Sequence, residues 1–261
     1  FYASYAGETA AQQIMDELYR RMTAELLFTE GFSLSDTVRA FLTQRLPHCA
    51  VSAVAAEADG VLLTQHFTAT EIPADAGAQT AVETLLHYLH DTVRTDLSQI
   101  NRLSFLDTRE TMQLDTYTLR NLEITRSLRD GGKKNTLFDV LDFTRTPMGT
   151  RLLKAWLEHP LLTPHRIDAR LDAVAELVEK STLRDALRDA LHTVYDFERL
   201  LTRIETQTAN ARDLVALRIS LAALPAVRAC LTAAASRLLV RAAGEIETFD
   251  ALRDELTRAL V

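Results

Sequence analysis

At 261 residues, with 47% apolar and 25% charged residues, the chain has the size and composition of one large globular domain or two ordinary ones. Its net charge of −7 is uneven: residues 1–100 hold five Arg, no Lys and thirteen Asp/Glu, a net −8, while residues 101–261 hold 24 Lys/Arg and 23 Asp/Glu, a net +1. The acidic first part excludes the basic footprint of a self-sufficient DNA-binding domain, and without any run of about 18 uncharged apolar residues no membrane-spanning helix is predicted.

Up to about residue 95, helix-like and strand-like stretches alternate. Residues 8–21 carry Ala11, Ile14 and Leu18 at helical spacing. The short apolar run at 24–28, closed by Thr-Glu-Gly, predicts a buried strand. Residues 35–46 predict a helix with Ser35 as N-cap. A second strand is predicted over 49–55, around the β-branched Val51 and Val54. Residues 75–93 predict a long helix with Val82, Leu85, Leu86 and Leu89 on one face. Such alternation implies an α/β domain.

From about residue 108 the pattern is helical almost throughout. Thr146-Pro147 and Thr163-Pro164 predict helix starts, with Thr as N-cap and Pro at the first helical position, where its missing N–H costs nothing. Leu224-Pro225 predicts another start without the Thr. Thr136 and Asp139 have the spacing of a capping box. Apolar stripes follow at Ile167, Leu171, Val174, Leu177 and Val178, at Leu183, Leu187 and Leu191, and at Phe197, Leu200, Leu201 and Ile204. Stripes of this kind predict core packing, as does Trp156 among Leu152, Leu153 and Leu157. Residues 129–135 form a polar loop.

Little of this carries chemistry. Cys49 and Cys230 lie far apart without CxxC spacing, which predicts two free thiols of a reducing compartment. The loop Gly131-Gly-Lys-Lys-Asn-Thr136 lacks the first Gly and the Gly-Lys-Ser/Thr end of a phosphate-binding loop. His87 and His90 stand at i, i+3 on a helix, followed by Asp91 off their face; two ligands fall short of the three or four a metal needs, so two solvated or half-buried histidines are predicted. The carboxylate pairs Asp139/Asp142 and Asp168/Asp172 read as solvated helix faces. Neither a nucleophile elbow nor a Cys/His constellation occurs.

The stretch Met112-Gln-Leu-Asp-Thr-Tyr-Thr-Leu-Arg-Asn-Leu-Glu-Ile124 resembles the beginning of the core (lever) domain of the MutS family of DNA mismatch-repair proteins. Asn135-Thr-Leu-Phe-Asp-Val-Leu-Asp-Phe-Thr-Arg-Thr-Pro-Met-Gly149 and Arg151-Leu-Leu-Lys-Ala-Trp-Leu-Glu-His-Pro-Leu161 resemble the family's next motif, in the same order and spacing. Asp196-Phe-Glu-Arg-Leu200 and Asn210-Ala-Arg-Asp-Leu214 are similar as well. More loosely, the N-terminal part resembles the back half of the family's connector domain, up to about residue 95.

The resemblance implies an α+β chain, mostly α: a partial α/β connector of ribonuclease-H-like fold over 1–98, a linker over 99–107, and an all-α helical core over 108–261, truncated before the clamp. The chain starts without Met or a signal peptide and reads as an internal piece of a longer protein. The helices after about residue 210 are then expected to expose apolar surface, because their returning partners are absent. Arg120, Asn121 and Glu123 are candidates to lock a domain junction. The family reads mismatches through a Phe-x-Glu motif in an N-terminal domain, to which nothing here is similar, and hydrolyses ATP at a phosphate-binding loop, which does not occur here; the string Phe28-Thr-Glu30 falls in the connector-like stretch. No catalytic, cofactor-binding or metal residue is therefore carried over. ATP and Mg, mismatched double-stranded DNA, the partner MutL, homodimerisation and a cytoplasmic setting without membrane attachment are implied for the full-length parent, which would be a DNA-dependent ATPase. This segment would be structural and signal-transmitting. The rivals are a metal-dependent nuclease-like domain and an unrelated helical scaffold.

Overall fold

A computed structural model describes residues 2–93, 97–98, 100–105 and 110–260. The chain divides into two compact units, one of residues 1–109 and 113–122, the other of residues 110–112 and 123–261.

The first unit holds α1 (Ala10–Arg21), β1 (Glu25–Thr29), α2 (Asp36–Arg45), β2 (Ala50–Val54), α3 (Val61–His66), α4 (Ala76–Val93) and α5 (Thr116–Asn121). β1 and β2 pair in parallel, with Glu25 opposite Ala50 and Thr29 opposite Val54. Such pairing requires the crossover that α2 supplies. Ser35 caps α2, its hydroxyl accepting the Val38 N–H as predicted. Met15, Leu34, Val38, Leu42 and Leu46 form one core under the strands, with Leu26 and Phe28 against it. Leu63, Phe67, Leu86 and Leu103 form a second core. Leu103 falls in the stretch expected as a linker; of that stretch, residues 99, 106 and 107 lie outside the described residues.

α5 is fastened to α1 by polar contacts. Asp16 Oδ1 accepts from the Thr116 N–H (3.1 Å) and hydroxyl (2.8 Å). The buried Arg20 pairs with Glu17 and donates to the Leu114 carbonyl at 2.9 Å.

α4 forms where predicted, but its buried face is rotated. Leu85 is exposed, and Glu83, Thr84 and Leu86 point inward. The cause is polar: Thr84 Oγ1 accepts the Glu57 N–H at 3.0 Å, and Glu83 reaches α3, a helix that the sequence pattern does not announce.

The second unit holds α6 (Leu137–Leu141), α7 (Pro147–Glu158), α8 (Pro164–Glu179), α9 (Ser181–His192), α10 (Phe197–Glu205), α11 (Ala211–Thr232), α12 (Arg237–Glu245) and α13 (Asp250–Ala259). Residues 110–112 join it through a Thr111–Leu161 bridge flanked by Met112 N–H to Pro160 O (2.7 Å) and Leu162 N–H to Glu110 O (2.9 Å). α11 is central and packs against α9, α10, α12 and α13. Its inward face carries Leu217, Leu221, Ala223, Val227 and Leu231. By length and composition α11 is apolar enough to cross a membrane, although Arg218 and Arg228 interrupt it; its apolar stripe is the core of this unit.

Four local expectations are corrected here. Pro225 does not begin a helix; it lies within α11. An internal proline removes one i→i−4 hydrogen bond, at about 3 kcal/mol. Burial of the leucines and valine on either side, at about 1.5–3 kcal/mol each, exceeds that cost and carries the helix through. Thr136 caps α6 at the Asp139 N–H, but the Asp139 carboxylate accepts from Asn135 N–H, so the reciprocal box is incomplete; the full box is Asn210/Asp213 at the start of α11. Trp156 is 39% exposed, with the Arg170 guanidinium 3.7 Å from its ring centre, and Leu152 is exposed. Most of the α8 stripe faces outward: Leu171 and Val178 are 58% and 66% exposed, Ile167 and Leu177 are half-buried, and Ala173 and Glu176 are buried instead.

Apolar surface after residue 210 is present at Val240, Phe249 and Leu252. A larger set lies earlier than expected, on α6 to α8, including Val140, Phe143, Leu152, Leu171, Val174 and Val178.

Because Pro225 interrupts an otherwise continuous helix, Pro225→Ala should stabilise the protein by about 1–3 kcal/mol. Urea denaturation would show this as a higher midpoint at unchanged slope. A lower midpoint would mean that ring packing outweighs the lost hydrogen bond.

Candidate functional site

The histidine pair does not converge. His90 is exposed, its Nδ1 3.6 Å from Asp91 Oδ1. His87, one turn earlier, faces Glu83 Oε1 at 3.5 Å and Asp59 Oδ1 at 3.7 Å. Ligand-type atoms of Asp59, Glu83 and His87 all lie within 4.8 Å of one another. Sequence reasoning did not find this trio. The available signal was Glu83 itself, a carboxylate set between Val82 and Leu86 on the inward face of a helix.

The carboxylates of the trio are already engaged. Asp59 Oδ1 accepts the Val61 N–H at 3.0 Å. Glu83, fully buried, accepts Leu62 N–H at 2.9 Å and Leu63 N–H at 2.8 Å. These are the first three amides of α3, which have no partner within the helix. The Val61 amide first, with His87 nearby, holds the Asp59 carboxyl below the usual range. His87 Nε2 is buried and makes no hydrogen bond among the described residues. The trio is thus a helix start assembled from two distant positions, with one imidazole beside it.

The second unit repeats the device. Glu176, on α8, accepts Ala235 N–H at 2.6 Å and Ser236 N–H at 2.7 Å at the start of α12, and pairs with Lys180 at 2.8 Å. Lys180 first, then the two amides, hold its carboxyl down to about 2.

The other carboxylates are similarly occupied or exposed. Asp142 accepts from Lys133 Nζ at 2.5 Å and from the Thr144 hydroxyl, and Lys133 first among these keeps it below its usual range. Lys133 also stands 4.5 Å from the Phe138 ring centre, so the lysine of the glycine-rich loop points into its own unit. Asp168 and Asp172 are exposed. Arg120 and Asn121 are exposed at the end of α5, and Glu123, at φ +46, accepts Leu128 N–H at 2.6 Å to close a local turn.

The motif residues meet across helices. Arg151 on α7 grips Asp196 with two hydrogen bonds of 2.8 Å and also reaches Glu198. Asp196 in turn caps α10. Bidentate pairing of this kind fixes orientation as well as distance. Arg203 on α10 pairs with Asp213 on α11 at 2.8 Å, and Asp213 completes the capping box with Asn210. The blocks that begin at Arg151, Asp196 and Asn210 therefore clamp α7 to α10 and α10 to α11.

In these helices the motif carboxylates are committed to backbone amides and ion pairs that hold the packing together. The sequence model of the family described as MutS domain III matches residues 117–261, more than half of the chain. The chain belongs to the MutS family of DNA mismatch repair proteins. It is 42% identical to the DNA mismatch repair protein MutS of Symbiobacterium thermophilum over 203 residues, 76% of this chain and 23% of that protein. It is 36% identical to the MutS of Pelotomaculum thermopropionicum, covering 99% of this chain and 31% of that protein. With the MutS of Brevibacillus brevis it shares 34% identity over its whole length and 29% of that protein. The chain thus spans between about a quarter and a third of the length of these relatives.

Two expectations follow from the capping carboxylates. Glu83→Ala leaves two buried amides of α3 unpaired, at about 1–3 kcal/mol each, and should lower the urea midpoint accordingly; Glu83→Gln, which keeps an acceptor, should lose less. For Glu176 the folded value of about 2 lies below the unfolded one, near 4.3. Its contribution is therefore complete above about pH 5 and is lost as pH falls towards 2. Glu176→Gln should flatten that acid limb in urea midpoints measured against pH; an unchanged limb would contradict the assignment.

Proposed function

We propose that this chain is a structural and signal-transmitting segment of a MutS mismatch-recognition protein and has no catalytic activity of its own. Residues 1–98 would be part of the ribonuclease-H-like connector, 99–107 a linker and 108–261 the first part of the helical core. The parallel β1–α2–β2 unit supports the first assignment, because such units are the building blocks of α/β domains. The observation that carries the reading is the match over residues 117–261, together with the motif residues Arg151, Asp196, Asn210 and Asp213 acting as helix-to-helix clamps.

In the parent, a dimer would hold mismatched double-stranded DNA, bind ATP with Mg in domains outside this chain, and signal to MutL in the cytoplasm. Rigid helices joined by oriented ion pairs suit a lever, which transmits a change provided that it has two arrangements. The nuclease alternative needs carboxylates free to hold metal ions. The carboxylates of the Asp59–Glu83–His87 trio face backbone amides instead, which favours the structural reading.

The test is direct. Purified chain incubated with ATP and Mg should show turnover no faster than buffer, and should bind a duplex with one mismatch no better than a fully paired one. ATP turnover above background, or nanomolar binding selective for the mismatch, would overturn the proposal.

A further inference from the structure

Within the second unit, α7, α8 and α12 surround a cavity of about 650 Å³ lined by Arg166, Arg170, Arg237, Arg241, Trp156 and Glu110 among others. Four arginines and a single carboxylate thus contribute to the lining. Glu110 pairs with Arg166, and Arg241 pairs with Glu245 outside the cavity. Arg170 lies over Trp156, and neither it nor Arg237 has an ion-pair partner among the described residues. Burial, and then the charge of Arg166, makes the charged form of Arg170 less favourable than in water. The fold gains no obvious stability from this concentration of like charge in a chain of net charge −7.

A second observation points the same way. The cavity lies beside the opening turns of two helices: Arg166 and Arg170 belong to the first two turns of α8, and Arg237 is the first residue of α12. Neither helix has an acidic residue in its first turn. Helix N-termini carry partial positive charge and ordinarily attract carboxylates. At the start of α8 cations are added to a positive helix end that no carboxylate caps, an arrangement favourable for an anion, while the start of α12 is already held by Glu176. The apolar part of the lining, Leu161, Ala169 and Leu238, lowers the local dielectric and strengthens the attraction.

We propose that this arginine-lined cavity is a binding site for a multiply charged phosphate group. Guanidinium forks match phosphate oxygens in pairs, and more than one fork is within reach here. The phosphate could belong to a free polyphosphate, as in a nucleotide, or to a nucleic-acid backbone; the chemistry at the cavity is the same.

Titration calorimetry with inorganic tripolyphosphate at low ionic strength tests the site. The expected Kd is below about 1 mM, weakening as salt is raised. Arg237→Gln combined with Arg241→Gln should weaken binding by at least about tenfold, since charge-assisted hydrogen bonds are lost. Arg258→Gln, at the far end of α13 and outside the cavity, serves as the control and should leave affinity within about twofold. Thermal melting separates the site from a structural role: Arg237→Gln removes an unpaired cation from a helix start, so its Tm should equal or exceed that of the parent chain. Competition by a short fully paired duplex would assign the phosphate to nucleic acid, and binding of tripolyphosphate without duplex competition would assign it to a small ligand; both support the site. Absence of tripolyphosphate binding, an equal loss in Arg258→Gln, or a lowered Tm in Arg237→Gln would overturn it.

Discussion

A carboxylate on one helix that accepts the free amides at the start of another is the interaction on which both units depend. Glu83 does this for α3 and Glu176 for α12. Asp16 does it for the Thr116 amide at α5, and Asp213 does it locally, for the Asn210 amide at α11. A buried carboxylate is costly unless its lone pairs are satisfied, and a buried helix start is costly unless its N–H groups are. Placing one against the other removes both costs and specifies which helices meet. The same engagement leaves these groups ill suited to metal or acid–base chemistry.

This constraint also sets which side of a helix faces inward. On α4 and α8 the apolar stripes predict one orientation, and the glutamates impose another. Leu85 on α4 and Leu171, Val174 and Val178 on α8 turn outward because Glu83 and Glu176 must turn in. Those on α8 add to the apolar surface of α6 to α8 in the second unit. α11 is the counter-case: apart from Asp213 and Ser220 its buried face is apolar, and it tolerates Pro225 in the middle.

Much of the architecture was nonetheless legible. Strands β1 and β2, the Ser35 cap, the Thr146-Pro147 start and the helical character after α5 follow from local rules about spacing, capping and proline, and these hold where neighbours impose nothing further. What escaped was non-local. α3 has Gly60 as its N-cap residue, and two of its amide partners sit on Glu83, about twenty positions ahead, so no local signature marks it. Pro225 was misread because its cost is visible in sequence and the packing that offsets it is not. The trio around His87 was missed for the reason that Glu83 looked like one more charge on a helix. The clamp residues Arg151, Asp196 and Asp213 were noticed only within motifs, since nothing in their spacing says that they touch.

The shortness of α3 has a further consequence. Six residues are too few to persist as an isolated helix, because the first turn is costly to nucleate. α3 therefore forms only as α4 docks, and α12 acquires its start only once α8, about sixty residues earlier, is in place. Each such pair closes a loop before it gains its hydrogen bonds, which slows its formation and makes its opening cooperative. In native-state hydrogen exchange, α3 would then open with α4, and the start of α12 with α8, as units that ignore sequence order.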